Sequence, residues 1–453
     1  MPITVAPHRL PGLGHLVPLL RDPFRFLESL SAHGDLVGIG LGPFTAVVVC
    51  DPYLTWQVLR DDRVFDKGGP LYDSGRNMTG EGLATCPHAK HRRQRRLLQP
   101  AFHPDRVAGY APVMTRTLTE MVDSWHDGQI IDVKTQLRTF AGKVIAATLF
   151  NHAIPESAQN RLHHDAEVIL AGVIRQVLMP EWLRRWPILG NRACAQAAIE
   201  ARTILAELVS ARRAEGTDHG DLFATMLTAR DSDGGQLSDA EVIDHVLTFF
   251  FAGTDTAATV LAWALLLLDQ HPNIAARLHA EVDTVLAGGS ACHEDLPNLP
   301  FTGQVLTEVL RLRPPLWVAT RTVTEDTQLG RHWLPAGTTV IYSSYLIHHR
   351  PDLYPDPDRF DPDRFDPASP HHPPRHTMVP FATGARKCIG DTFAMTEATL
   401  VLATIAARWR LRTLPGIDTR PTLAVVAQPR QLRMHATART TPQTARSGLL
   451  HDR

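Results

Sequence analysis

The sequence predicts one large, mainly α-helical domain with small β-sheets. Three observations carry this expectation. From about Pro52 to Gln270 apolar residues recur at helical spacing, with breaks near Pro155, Pro180, Pro187 and Gly234-Gly235. Inside that span Val246 to Leu268 is almost wholly apolar, the pattern of a helix buried all round. Period-two alternation is confined to Asp35–Cys50 and Leu316–Ile347, so strands are few and short.

Pro11 to Pro23 reads as an irregular entry and Phe24 to His33 as a helix. Asp35–Pro43 and Ala46–Cys50 read as a hairpin. The glycines at 38, 40 and 42 invite a dinucleotide-loop reading, but the spacing is wrong and a strand follows where a helix is needed. Arg161–Val177 and Ala193–Glu215 are two predicted helices around a Pro/Trp-rich bend, Met179–Gly190. The longest helix should start at Ser238, with Glu241 completing a capping box. It should stop before Pro272, a span of roughly 48 Å at 1.5 Å per residue. Leu316–Ile347 should hold short strands, Tyr354–Pro380 an irregular meander and Asp391–Trp409 a helix. Residues 1–435 are expected to form the domain and 436–453 a flexible polar tail.

Composition narrows the classes. The chain has 453 residues, 44% hydrophobic, with net charge −1, so no bulk attraction to nucleic acid is expected. Five scattered cysteines without a C-x-x-C pair argue for a reducing, cytoplasmic setting. Met1–Leu30 has no signal-peptide or anchor pattern. Val246–Leu268 is long enough to cross a bilayer, but its centre carries Asp255, at about 2.5–3.5 kcal/mol on insertion scales. A buried core helix explains it better than a membrane span.

The chemistry starts at Phe381-Ala-Thr-Gly384-Ala-Arg386-Lys-Cys388-Ile-Gly390. A cysteine beside two cations and ahead of a helix is expected to favour its thiolate. A lone thiolate cannot close a zinc site, which takes about four ligands. It can be the single protein ligand of a haem iron. The plain alternative is an ordinary buried cysteine. The pattern Phe-x-x-Gly-x-Arg-x-Cys-x-Gly, however, resembles the haem-binding signature of the cytochrome P450 family at every fixed position. That resemblance implies the family's mostly α fold, with haem between the long central helix and the helix after Cys388. Gly384 and Gly390 would let the backbone turn around the sulfur, Phe381 would pack beneath the ring, and Arg386 would pair with a propionate.

Other stretches resemble the family in the same order. Ala252-Gly253-Thr254-Asp255-Thr256 matches its oxygen motif. There the resemblance gives Gly253 the role of leaving room for dioxygen, Thr256 a hydrogen bond beside it, and Asp255 a proton relay. A helix needing one small residue for packing is the plain alternative. Glu308-Val-Leu-Arg311 with Phe360-Asp-Pro-Asp-Arg364-Phe365 resembles the buried Glu–Arg–Arg triad, though alone an i,i+3 pair is worth little. His91, Arg95 and Arg321 fall at propionate-binding positions of the family. Arg92, Arg93, Arg96 and Lys387 suggest a basic patch for an acidic ferredoxin. The pairs His163-His164, His348-His349 and His371-His372 lack metal spacing and read as surface or capping residues.

The resemblance implies a haem b monooxygenase that takes electrons from NAD(P)H through a separate ferredoxin and reductase, working as a monomer. Expected pocket residues are Phe65, Leu71, Phe249, Ala252, Trp317, Val318 and Val426, all apolar. An apolar pocket suits a hydrocarbon-like substrate. His91–Phe102 (HRRQRRLLQPAF) and Leu316–Arg321 (LWVATR) resemble bacterial members that oxidise cyclic sesquiterpenes. Another lipophilic substrate (fatty acid, steroid or polyketide) or a non-catalytic haem-thiolate sensor is the alternative; a helical membrane or scaffold protein is the third class.

Overall fold

The computed structural model describes residues 2–42, 44–151, 155–178, 190–217, 219–370, 372–374, 376–422 and 425–439. In chain order, β1 (Thr4–Val5) leads to α1 (Leu16–Arg21), α2 (Pro23–Leu30), β2 (Leu36–Leu41) and β3 (Phe44–Val49). Then come α3 (Pro52–Arg60), β4 (Phe65–Asp66), α4 (Pro70–Thr79), α5 (His88–Leu98) and α6 (Pro104–Asp123). β5 (Ile130–Asp132), α7 (Val133–Phe150), α8 (Glu156–Leu178), α9 (Asn191–Glu215) and α10 (Leu222–Thr228) precede the central α11 (Asp239–Gln270). α12 (Pro272–Leu286), α13 (Pro300–Leu312), β6 (Ala319–Val323), β7 (Thr327–Leu329), β8 (His332–Leu334), β9 (Thr339–Tyr342) and α14 (Ser344–His348) follow. α15 (Asp391–Arg408), β10 (Trp409–Thr413) and β11 (Arg433–Ala438) complete the described fold.

α11 forms where its caps dictate. Ser238 accepts from the Glu241 N–H while the Glu241 carboxylate accepts from the Ser238 N–H, and Pro272 ends the helix. Its apolar stretch is long enough to cross a membrane by composition, yet 78% of that window is buried inside the fold. α6, α7, α13 and α15 share one large core with it.

Three sheets flank the helices. The largest runs β1-β2-β3-β9-β6-β4, so the N-terminal hairpin is completed by strands some 300 residues later. β10, β11 and β5 form a second sheet, and β7 pairs with β8. Two expectations need correction. Ser344–His348 is helical, because Ser343 caps it through the Leu346 N–H. The ordered chain also passes the expected boundary at 435. Ala436 is fully buried in β11, paired to Leu411 of β10. The predicted bend at Met179–Gly190 lies, up to residue 189, outside the described residues.

Candidate active site

The Cys388 loop is a tight turn held from both ends. The Cys388 N–H donates to the Phe381 carbonyl at 2.9 Å, and Ala382 and Gly384 both have positive φ (56° and 72°). A Cβ at Gly384 would lie 2.7 Å from the Leu59 carbonyl oxygen, so glycine is required there twice over. Phe381 packs on the main core. Cys388 is accessible, while Phe393 on the helix it introduces is buried. Although Cys388 itself is reached by solvent, the protein packed around its sulfur raises the thiol above its usual value, while the Gly390 N–H and Arg95 pull it down.

Cations converge beside this loop. Arg321 is 2% exposed; it donates to the Tyr72 hydroxyl at 3.4 Å and the Thr320 carbonyl at 2.8 Å, and lies over the Tyr342 ring. Arg95 donates to Gln99 and to the Lys387 carbonyl. Arg386 corrects an expectation. Its three nitrogens are taken by Asp62 (3.0 Å), Asp66 (2.7 Å) and the Cys86 carbonyl (2.9 Å). It pins the loop to the α3–β4 segment instead of pointing at a propionate position. His91 is buried too. Burial, then Arg386 and Lys67, push its imidazole down to about 3, so it can offer a neutral ring N–H there.

Lys67 and Tyr72 were not singled out as cofactor ligands by sequence. Lys67 donates to the Ala84 carbonyl at 2.7 Å and lies over the Tyr72 ring. Burial, then Arg321 and Arg386, lower its ammonium to about 7. The motif signal for it was nil, because a lysine in a β4–α4 loop resembles any surface lysine.

The oxygen motif divides between two faces of α11. Ala252 is exposed and Thr256 half-buried, one turn apart on the same side, with the Thr256 hydroxyl donating to the Ala252 carbonyl at 2.6 Å. A Cβ on Gly253 would lie 2.4 Å from Ile145 Cδ1. Gly253 is therefore a packing residue against α7, and the accessible residue beside Thr256 is Ala252. Asp255 faces the other way, into a polar cleft of about 380 Å³ that Lys134 and Arg430 also line. Its carboxylate is 2.8 Å from Arg138, which also meets Glu167 of α8 at 3.0 Å.

Glu308 and Arg311 are completely buried, with a bidentate pair at 2.7 and 2.8 Å. Arg364 stands 3.5 Å from the same carboxylate, which also accepts from the Asp361 N–H. Arg311 passes the connection on to the His348 carbonyl. His348 in turn accepts from the Val379 N–H, two residues before Phe381. His348 and His349 are thus interior histidines, not surface ones, while His349 does cap α14, its ring nitrogen 2.9 Å from the Tyr345 carbonyl. Among the described residues no cluster of His, Cys, Asp and Glu could hold a metal ion.

The expected pocket residues scatter. Leu71 joins Met78, Ile169, Val173, Cys194, Ala197 and Phe251 in a small apolar cluster that meets the main core through Phe251. Phe65 does not; it is buried in the sheet core with Val58 and Val323. Trp317 packs against Phe24 with ring centroids 5.3 Å apart and the planes tilted by 54°, and Val318 packs in the same N-terminal cluster. Phe249 is buried against Phe102. Val426 is buried beside Ala427, whose carbonyl accepts from Trp263. The basic patch shrinks as well. Arg93 is drawn to Asp231 and Glu241, and Lys387 to Asp391, which leaves Arg92 and Arg96 exposed.

The profile of the family described as "Cytochrome P450" matches residues 5–435. The chain belongs to the cytochrome P450 family. Pentalenene oxygenase of Streptomyces avermitilis is 43% identical over 97% of this chain and 98% of its own. Cyclooctat-9-en-7-ol 5-monooxygenase of Streptomyces melanosporofaciens is 42% identical over 91% of this chain and 90% of its own. Among solved structures, the cytochrome P450DA heme domain superposes with a TM-score of 0.88 at 25% identity, over 97% of this chain and 98% of that one. Retinoic acid-bound cyanobacterial CYP120A1 gives 0.85 at 27% identity, over 97% of this chain and all of that one. This P450 is a monooxygenase, with haem b as cofactor and NAD(P)H as the electron source through redox partners.

The residues present fit that cofactor. Haem b carries two carboxylates. Around the Cys388 loop, Arg386 is taken up by Asp62 and Asp66, while Lys67, Arg95 and Arg321 make no ion pair among the described residues. A guanidinium buried as deeply as Arg321 without a carboxylate partner is costly unless an anion joins it.

Proposed function

We propose that this P450 oxidises a cyclic terpene hydrocarbon, in the first instance a sesquiterpene, in the bacterial cytoplasm. The observation that carries the substrate class is the near full-length similarity to pentalenene oxygenase. The apolar cluster of Leu71, Met78, Ile169, Val173 and Phe251, beside accessible Ala252, agrees with a substrate that offers no charge to recognise. Haem supplies oxygen activation when bound, and Cys388 is the residue to hold its iron. Arg321, Lys67, Arg95 and neutral His91 would take the propionates, with Arg386 holding the loop. Thr256 would hold a proton donor beside Ala252. Asp255 would bring protons from the polar cleft behind α11. A ferredoxin would dock near exposed Arg92 and Arg96, and the enzyme would work as a monomer.

The test is reconstitution. Purified protein with a ferredoxin, its reductase and NADPH should convert a cyclic sesquiterpene hydrocarbon to a product one oxygen heavier. Neither a spin-state shift nor product from any cyclic terpene would sink the substrate reading. Cys388→Ser tests the ligand: the ferrous carbonyl complex should lose its red-shifted Soret band, and an unaltered band would exclude Cys388.

Two further outcomes follow from the geometry. Thr256→Ala should leave NADPH consumption in place while product per electron pair falls about ten- to a hundredfold, the balance appearing as hydrogen peroxide. Measuring peroxide against product checks it. Lys67→Met should release haem to apomyoglobin about tenfold faster than wild type, with Lys67→Arg close to normal, because a charged hydrogen-bond donor is lost.

A further inference from the structure

A cleft of about 210 Å³ opens where α11, α12, α15 and β10 meet. Ile405, on its wall, is fourteen residues along α15 from Asp391, roughly 21 Å at 1.5 Å per residue. The cleft is therefore separate from the Cys388 turn. Local sequence leaves the space. α11 stops at Gln270 and α12 starts at Pro272, so the two helices share a corner. Ala275 and Ala276 of α12 and Ala406 of α15 line the gap with one methyl each and do not fill it. Leu265, Leu268, Leu402, Ile405, Trp409 and Leu411 give it apolar walls.

The mouth is short of negative charge. Along β10 the side chains alternate: Trp409 and Leu411 are buried, Arg410 and Arg412 exposed. Arg412 pairs with Asp269 at 3.0 Å. Arg439, which donates to the carbonyl of cleft-lining Ala406, pairs with Asp283 at 2.7 Å. Arg410 has no carboxylate partner among the described residues, so one cation at the cleft is unmatched. Half-buried His279 lines the cleft too. Burial, then Arg439 and Arg410, lower its imidazole to about 4, so it is neutral at pH 7.

Apolar walls with a few polar groups at one end are the usual make-up of a small-molecule pocket. An apolar cavity of about 150 Å³ takes one benzene, so this cleft takes a body of roughly eight carbons. We propose that the cleft is a second ligand site, which takes a small apolar monocarboxylate, its body between α11, α12 and α15 and its carboxylate on Arg410. The unmatched cation favours such an anion over an uncharged terpene, so this ligand is not the substrate.

Isothermal titration with octanoate tests it. The haem-loaded enzyme is first saturated with 4-phenylimidazole, which occupies the haem side. Wild type should bind one octanoate per chain. Arg410→Gln should weaken octanoate about three- to fivefold, the scale of an exposed charge pair. The same chain without the charge, 1-octanol, should bind wild type weaker than octanoate by a similar factor and be indifferent to Arg410→Gln. Ala276 is exposed on the cleft wall, so Ala276→Phe should cover the cleft and abolish binding with the thermal midpoint unchanged. No octanoate binding to wild type overturns the proposal. So does binding that Ala276→Phe leaves intact, which places the acid elsewhere. Octanoate and octanol of equal affinity in both wild type and Arg410→Gln also overturn it, as apolar adsorption without recognition of the carboxylate.

Discussion

Glu308→Ala is expected to yield protein that folds in large part but retains little haem. Glu308 is wholly buried and is the acid shared by Arg311 and Arg364. Removing it leaves Arg311, also wholly buried, without a counter-charge, and breaking a buried pair in this way costs about 3–5 kcal/mol. The cost is not spread evenly. Glu308 also accepts from the Asp361 N–H, and Arg311 donates to the carbonyls of His348 and Arg359. Through His348 the network reaches the Val379 N–H and so the segment entering the Cys388 turn. The described residues of the meander from Tyr354 to Pro380 hold little regular structure, so side chains such as Arg311 and Arg364 hold them in place. Haem content per chain and protease cleavage within 354–380 are the measurements. Full haem content with an unaltered ferrous carbonyl spectrum in Glu308→Ala would contradict this. Glu308→Gln, which keeps the shape and one of the two acceptor oxygens, should retain more haem than the alanine variant.

The parts of this site legible in the sequence are those whose residues act locally. The capping box at Ser238 and the Glu308–Arg311 spacing each depend on neighbours three positions apart, and the Cys388 turn on a ten-residue stretch, which a single chain displays directly. The misreadings involve partners far along the chain. Arg386 looked free because Asp62 and Asp66 lie more than 300 residues away. Gly253 looked like space for a small molecule because Ile145, which fills that space, is on another helix. Phe65 and Trp317 have the apolar character of pocket residues, but apolarity does not tell a pocket wall from a sheet core. The six-stranded sheet was half visible, as a hairpin and a run of strands, yet the pairing of β3 with β9 has no local signal.

Glu397 carries the last prediction, and its sign follows from burial alone. It lies on α15, 1% exposed, and its Oε1 atom has no hydrogen-bond partner. Burial pushes its carboxyl up to about 8 from the ordinary 4.5. At pH below the ordinary value both folded and unfolded chains hold the proton, and the group contributes its full share of stability. Between 4.5 and about 8 the unfolded chain ionises while the folded one does not, so stability falls as pH rises, by about 1.4 kcal/mol per unit for this one group. Above about 8 the loss is complete, on the order of 5 kcal/mol. Two histidines elsewhere in the fold work in the opposite sense: burial lowers His279 and His245 to about 4, and each adds stability as pH rises toward its unfolded value. The raw pH profile is therefore a composite, and the difference between variant and wild type isolates Glu397. Glu397→Met, similar in length and wholly apolar, should be more stable than wild type at pH 8.5 and should lose that advantage steadily down to pH 5. Urea midpoints of the haem-loaded proteins across that range measure it. A stability difference that stays flat with pH would mean that Glu397 is ionised and paired in the fold.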